Sequence, residues 1–298
     1  MSGKLRLHAL RIGNKEFKMQ TLQAVIVGAV QGISEFLPIS SSAHIVFSQS
    51  IYKLLSGGQT LSDVAAQEVF FDIIVHLATL FAVLIFFRKD IINIIKAFFS
   101  GLKNKDYSSD DFKIAVYIAA ATPITCAVAL ILKEPTHALL ENPKIVSLFL
   151  ILTGFILFFS EKLKSKNKEI DLKTSLWTGL AQGLAIFPGL SRSGLTIATQ
   201  VFLGVDRVKA ARFSFLMSIP VIIGASMVFP LLEMDFSQAA QINVKAFFWG
   251  FLTSFVTGYL CIKYFMKLLG KITLKCFSYY CFAAGLAMFV LFSVCHRL

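Results

Sequence analysis

Apolar residues gather along this chain in stretches long enough to cross a bilayer, which takes roughly 20 predominantly apolar residues. Such stretches fall at about 70–87, 112–132, 144–159, 210–232, 244–262 and 276–295, and they predict six transmembrane helices. Two further apolar stretches, about 21–50 and 175–204, are equally long but are broken by proline, glycine, serine and charge. Irregular backbone survives at membrane depth only where protein buries it or where it lines a wet cavity. The two breaks are therefore expected to face each other inside protein.

Composition agrees with a chain that lives in lipid: 56% of the 298 residues are hydrophobic, 30 are phenylalanine, only 15% are charged, and the mean hydropathy is +0.72. The formal net charge of +12 raises the question of a polyanion partner. The Lys and Arg residues cluster in short segments between spans, however, which reports orientation rather than nucleic-acid binding. No nucleic-acid site is expected. The five cysteines, Cys126, Cys261, Cys276, Cys281 and Cys295, sit mostly inside apolar stretches without metal-ligand spacing, and read as small packing residues.

The broken stretches match each other without gaps at an offset of 151 residues: Gly28–Ser42 is GAVQGISEFLPISSS and Gly179–Ser193 is GLAQGLAIFPGLSRS, identical at six of fifteen positions. Each copy is followed by three apolar spans. If each broken segment leaves the membrane on the side it entered, three spans invert the second half, as in many transporters. The expected fold is thus an all-α polytopic membrane protein with an inverted-topology repeat, about six transmembrane helices and two re-entrant helical hairpins. Repeat 1 is expected over 19–160 and repeat 2 over 175–298, within one membrane domain. With 51–69 outside, the inside segments (88–111, 160–174, 204–212 and 263–275) hold 18 Lys and Arg counting Lys113, against five outside beyond residue 20. That asymmetry follows the positive-inside rule. Lys4, Arg6, Arg11, Lys15 and Lys18 go against it. Met19 opens a natural start for the first apolar stretch, so 1–18 is read as an upstream extension.

A charged side chain at the bilayer centre costs at least about 2.5–3.5 kcal/mol on insertion scales and points to function. Arg192 lies at the second break, and two readings compete for it: a structural ion pair with Glu35, or an anion site. The guanidinium fork suits phosphate oxygens, and backbone amides near Gly189, where a helix is expected to start, point the same way. Phosphate is the expected anion. Gln31 and Glu35 lie four apart on one helical face. Gln31 has a twin in Gln182, but Glu35 faces Ile186 in the repeat, Ser41 faces Arg192 and His44 faces Leu195. Where the scaffold is duplicated and a reactive group is not, chemistry is the better explanation. An acid, a hydroxyl and an imidazole in one copy and a cation in the other form the inventory for hydrolytic phosphoryl transfer. A serine can attack if His44 or Glu35 takes its proton, and Arg192 can stabilise the moving charge. For each of Ser40, Ser41 and Ser42 the alternative is a hydroxyl capping a buried helix end. Glu35 with Gln31 is also a candidate pair for a divalent cation. Asp72 and His76, at i and i+4 near the outer end of the first span, read either as a supporting pair at the chamber mouth or as an interfacial polar patch. Asp206, Arg207, Lys209 and Arg212 read as a solvated cluster on an inner loop.

QGISEFLP with SSSAH, followed by FPGLSRSGLT over Phe187–Thr196, closely resembles the undecaprenyl-diphosphate phosphatase family linked to bacitracin resistance, with its [E/Q]xxxE and PGxSRSxxT signatures. The resemblance runs over essentially the whole chain from Met19, including FDIIVHLATL and FSFLMSIP. It implies a multi-pass hydrolase of the bacterial plasma membrane that converts undecaprenyl diphosphate to the monophosphate carrier lipid used for peptidoglycan, with its active site open to the extracytoplasmic side, and that confers bacitracin resistance. By position, Gln31 and Glu35 match the [E/Q]xxxE residues, Ser41 the proposed nucleophile, His44 the histidine after the serine run and Arg192 the phosphate-binding arginine. Ser40, Gly189, Ser191, Ser193 and Thr196 complete the expected phosphate site. The family implies Mg or Ca dependence. Some members carry glutamate at the position of Gln31, and the neutral amide here removes one charge from a cation site. The expected partners are a polyprenyl diphosphate and the bilayer, with a homodimer left open.

A membrane transporter or flippase for a lipid phosphate or another anion is the rival, because facing broken helices are also a carrier architecture. A carrier needs the anion site but not a nucleophile. Confinement of Glu35, Ser41 and His44 to one copy separates the two readings.

Overall fold

The computed structural model describes residues 21–55, 65–140, 142–162, 167–228 and 243–295. The expected extension at 1–18 and the middle of the segment at 51–69, residues 56–64, lie outside them. Eleven α-helices are described: α1 (Thr21–Phe36), α2 (Ser41–Leu55), α3 (Ala65–Phe86), α4 (Arg88–Asn104), α5 (Asp110–Leu140), α6 (Pro143–Ser160), α7 (Leu172–Leu184), α8 (Arg192–Phe202), α9 (Arg207–Ile223), α10 (Val244–Leu269) and α11 (Lys275–Cys295). A π-helical turn, Gly224–Val228, continues α9 beyond Pro220, a residue that cannot donate a helical hydrogen bond. Among the described residues there is no strand, only an isolated bridge between Lys168 and Val205. Among the described residues six helices are long and apolar enough to cross a membrane, α3, α5, α6, α9, α10 and α11. They coincide with the six stretches predicted above, and the chain is an all-α, multi-pass membrane protein.

Each broken stretch is a helical hairpin. Helix α1 runs alongside α10, with Gly28 so close that an added Cβ would sit 2.3 Å from the Gly250 carbonyl oxygen, and Gly32 equally tight against Ser254 and Thr257. By Phe36, α1 has reached only the middle of α10, near Gly258. The chain then turns, and α2 heads back beside α11, where Phe47 meets Phe292. Helix α7 does the same against α5: Gly179 packs on Ala121 and Gly183 on Val128 and Thr125. Helix α8 returns along α7, with Gln200 Nε2 donating to Thr178 Oγ1 at 2.8 Å. The glycines shared by the two stretches thus mark where each short helix approaches the backbone of a span.

The cluster read as an inner loop is a structured collar. Arg212 Nε donates to Asp90 at 2.8 Å, Arg207 donates to the Ile272 carbonyl at 2.6 Å, Glu161 accepts from the Leu274 amide at 2.9 Å, and Lys209 pairs with Glu169. Side-chain caps start the helices here, Asp171 on α7 and Asp206 on α9, each satisfying amides that a helix start leaves open. The segment 88–111, read as a loop, is largely helix α4. Its apolar residues recur at helical spacing rather than in a span-length run. Under the hairpin tips lies an aromatic core: Phe215 packs edge-on against Phe36 at 5.5 Å between ring centres and also meets Phe87 and Phe265.

Candidate active site

The two hairpin tips interlock. The Gly189 amide donates to Ser42 Oγ at 3.2 Å, and Ser193 Oγ donates to the Leu37 carbonyl at 3.0 Å. Gly189 has φ +98° and its absent Cβ would lie 2.3 Å from the Val146 carbonyl, so both its conformation and its surroundings require glycine. Ser40 adopts φ +67°, a left-handed conformation that costs energy for a side-chain-bearing residue. Its hydroxyl accepts from the Ala43 amide at 3.3 Å and meets Ser42 Oγ at 3.1 Å, so it caps α2. Ser191 caps α8 by accepting from the Gly194 amide at 3.1 Å, and α8 begins at Arg192, two residues later than expected. Thr196 donates to the Arg192 carbonyl and shares a 2.6 Å hydrogen bond with Ser214. The hydroxyls of Ser40, Ser191, Ser193 and Thr196, expected to line a phosphate site, are thus engaged in holding the two turns.

Glu35, in the last turn of α1 and almost fully buried, is the hub. Arg192 Nη2 donates to its Oε1 across the two hairpins. On Oε2, Ser41 Oγ donates at 2.8 Å and Gln31 Nε2 at 3.0 Å. His76 Nε2, from α3, stands 3.9 Å from the same oxygen, so of the two readings of the Asp72–His76 pair the geometry favours the supporting one. Arg192 is therefore ion-paired as its simpler reading held, yet its Nη1 is buried and unpartnered. One terminal nitrogen of the guanidinium holds the carboxylate, and the other has no acceptor. A buried N–H without an acceptor costs about 1–3 kcal/mol, a cost that a bound phosphate oxygen would remove.

His44 is brought to the site but faces elsewhere. Its Nδ1 bonds the Ser40 carbonyl at 2.7 Å and its Nε2 the Tyr280 hydroxyl at 2.7 Å, with the two rings stacked 5.7 Å apart. A carbonyl only accepts, so Nδ1 carries a proton, and in the neutral ring Nε2 then bears the lone pair and the tyrosine donates to it. Sequence reasoning missed Tyr280 altogether. It lies in an ordinary apolar span 236 residues away and belongs to no motif.

The expected cation site gains little support. Gln31 bonds the Glu35 carboxylate, both of whose oxygens already accept from donors, and among the described residues there is no cluster of three or more His, Cys, Asp or Glu with metal-binding geometry. Gln31 Oε1 is buried without a partner, but one amide oxygen falls far short of the six to eight that Ca requires. These residues do not by themselves fit a protein-held divalent cation.

A carboxylate, a serine and an arginine thus meet at two interlocked helix breaks among membrane-spanning helices. The chain belongs to the bacitracin resistance protein BacA family, whose model matches residues 24–287. It is 38% identical over 284 residues to an undecaprenyl-diphosphatase of Methanobrevibacter smithii, covering 91% of this chain and 98% of that protein. It is 38% identical to undecaprenyl-diphosphatase 2 of Halalkalibacterium halodurans, over 94% and 98%. With the undecaprenyl-diphosphatase of Korarchaeum cryptofilum it shares 39% identity, over 91% and 98%.

Proposed function

We propose that this chain is a membrane hydrolase that converts undecaprenyl diphosphate to undecaprenyl phosphate and inorganic phosphate, recycling a carrier lipid for cell-wall synthesis. The observation that carries the proposal is the Ser41 hydroxyl on Glu35 Oε2, with Arg192 on the other oxygen and a free guanidinium nitrogen beside it. Glu35 takes the proton of Ser41, and Ser41 Oγ attacks the terminal phosphorus. The bond between that phosphorus and the bridging oxygen breaks, and the lipid leaves as its monophosphate. Water then releases phosphate from the serine. Arg192 neutralises charge on the transferring group, a role that needs positioning and electrostatics more than covalent chemistry. Gln31 fixes the rotamer of Glu35, and His44, whose Nε2 bonds the Tyr280 hydroxyl, serves the leaving oxygen or the water through that hydroxyl.

The names of the relatives support hydrolysis and lend nothing to the carrier reading. The pairing of α1 with α10 and of α7 with α5 is what an inverted repeat of two hairpins and six spans would produce, and it supports that reading of the halves. The loop charges favour a plasma-membrane orientation with the site open to the extracytoplasmic side. The test is phosphate release from undecaprenyl diphosphate by purified protein, with and without EDTA. Arg192→Ala and Glu35→Ala should each lose about 100-fold or more in kcat/KM. Undiminished activity in both would remove the site assignment.

A further inference from the structure

Helix α4 has no role in the site, yet its surface is sorted into three stripes. Ile94 and Gly101 face the protein and are buried. Ile92, Ile95, Phe99 and Leu102 follow at steps of three and four, which aligns them along one side, and they are 48%, 50%, 66% and 51% exposed. Lys89, Lys96 and Lys103, seven apart, form an exposed basic stripe beside them.

The ends of α4 lie at one depth. Asp90 in its first turn is bonded to Arg212 near the start of α9, while Phe98 stacks on Phe112 at the start of α5, and Gly101 packs against the same ring. Both spans begin at the collar, where Asp110, Lys113, Lys209 and Arg212 line one cavity. Helix α4, about 25 Å long at 1.5 Å per residue, therefore lies across the ends of the spans. An in-plane helix with an apolar side and a flanking row of lysines is the form that seats in a bilayer interface and attracts anionic headgroups.

We propose that α4 is an interfacial helix that sinks its Ile92–Leu102 stripe into the acyl boundary and binds anionic lipid headgroups through Lys89, Lys96 and Lys103. The inference is independent of the hydrolase reading. In full-length protein carrying Trp177→Phe, Trp249→Phe and Phe99→Trp, reconstituted in phosphatidylcholine and phosphatidylglycerol vesicles, residue 99 becomes the sole tryptophan. Its fluorescence should be quenched by lipids brominated near the headgroup and shielded from acrylamide. Energy transfer to dansyl-phosphatidylglycerol should exceed transfer to dansyl-phosphatidylcholine by about two-fold or more, since each basic side chain near the surface is worth about five-fold in attraction. Lys89→Gln, Lys96→Gln and Lys103→Gln together should abolish that preference and leave the bromine quenching. Ready quenching by acrylamide would overturn the proposal, as would protection from both quenchers, which means another protein surface covers the stripe. Equal transfer to the two dansyl lipids would overturn the anionic-lipid half.

Discussion

At the residue scale, the Glu35–Arg192 pair has to serve stability and chemistry together. Removing one member of a buried pair strands the other charge, at about 3–5 kcal/mol. Arg192→Ala should therefore lower the unfolding temperature in detergent as well as stop hydrolysis. Glu35→Gln with Arg192→Gln, which removes both charges, should recover much of the stability and none of the activity, a separation read by thermal unfolding beside phosphate release. Tyr280 separates binding from turnover in another way. Tyr280→Phe keeps the stacked ring and loses only the donor to His44 Nε2. If His44 works during turnover, kcat should fall about ten-fold with KM unchanged, as steady-state kinetics would report. Equal loss in every parameter would assign the hydroxyl to folding.

At the scale of elements, the short hairpin helices depend on glycine contacts with spans. Gly28→Ala places a Cβ 2.3 Å from the Gly250 carbonyl, whereas nothing lies within 4 Å of a Cβ at Gly270. The first change should destabilise by about 1–3 kcal/mol through overpacking, and Gly270→Ala should leave the melting curve unmoved. The six spans and both breaks could be read from the sequence because apolar length and its interruption are local signals. Helix α4 could not, since its amphipathic pattern hides from a search for long apolar runs. Glu35, Ser41 and Arg192 stood out because they break a duplicated scaffold. Asp72 and His76 stood out as a pair, but which of their two readings held depended on what crosses to His76 from α1, and Tyr280 did not stand out at all, because its partner comes from α2 and no local pattern encodes that. The serines around the tips were legible as polar, but their assignment to caps and cross-links needed coordinates.

For the molecule as a whole, the two hairpins open at opposite ends, the second into the collar, where Lys168 meets Gly204 and Val205, and the first at the far end, where Ala24 packs with Phe247. Single cysteines placed at Lys144 and Lys168 in a cysteine-free background should report this. Position 144, at the start of α6, should react with a membrane-impermeant maleimide in intact cells, and position 168, in the collar, only after permeabilisation. Labelling of both from outside would overturn the orientation. The interlocked tips also impose an order on biogenesis. Glu35 meets its cation 157 residues further along the chain, and α1 finds its groove only when α10 has been made. At the pace of translation, about 5–20 residues per second, the nascent first hairpin waits on the order of ten seconds or more with neither its counter-charge nor its packing surface. The insertion machinery must shelter an acid-bearing, half-span helix throughout that interval, so the first hairpin, although first to leave the ribosome, is among the last parts of the protein to settle.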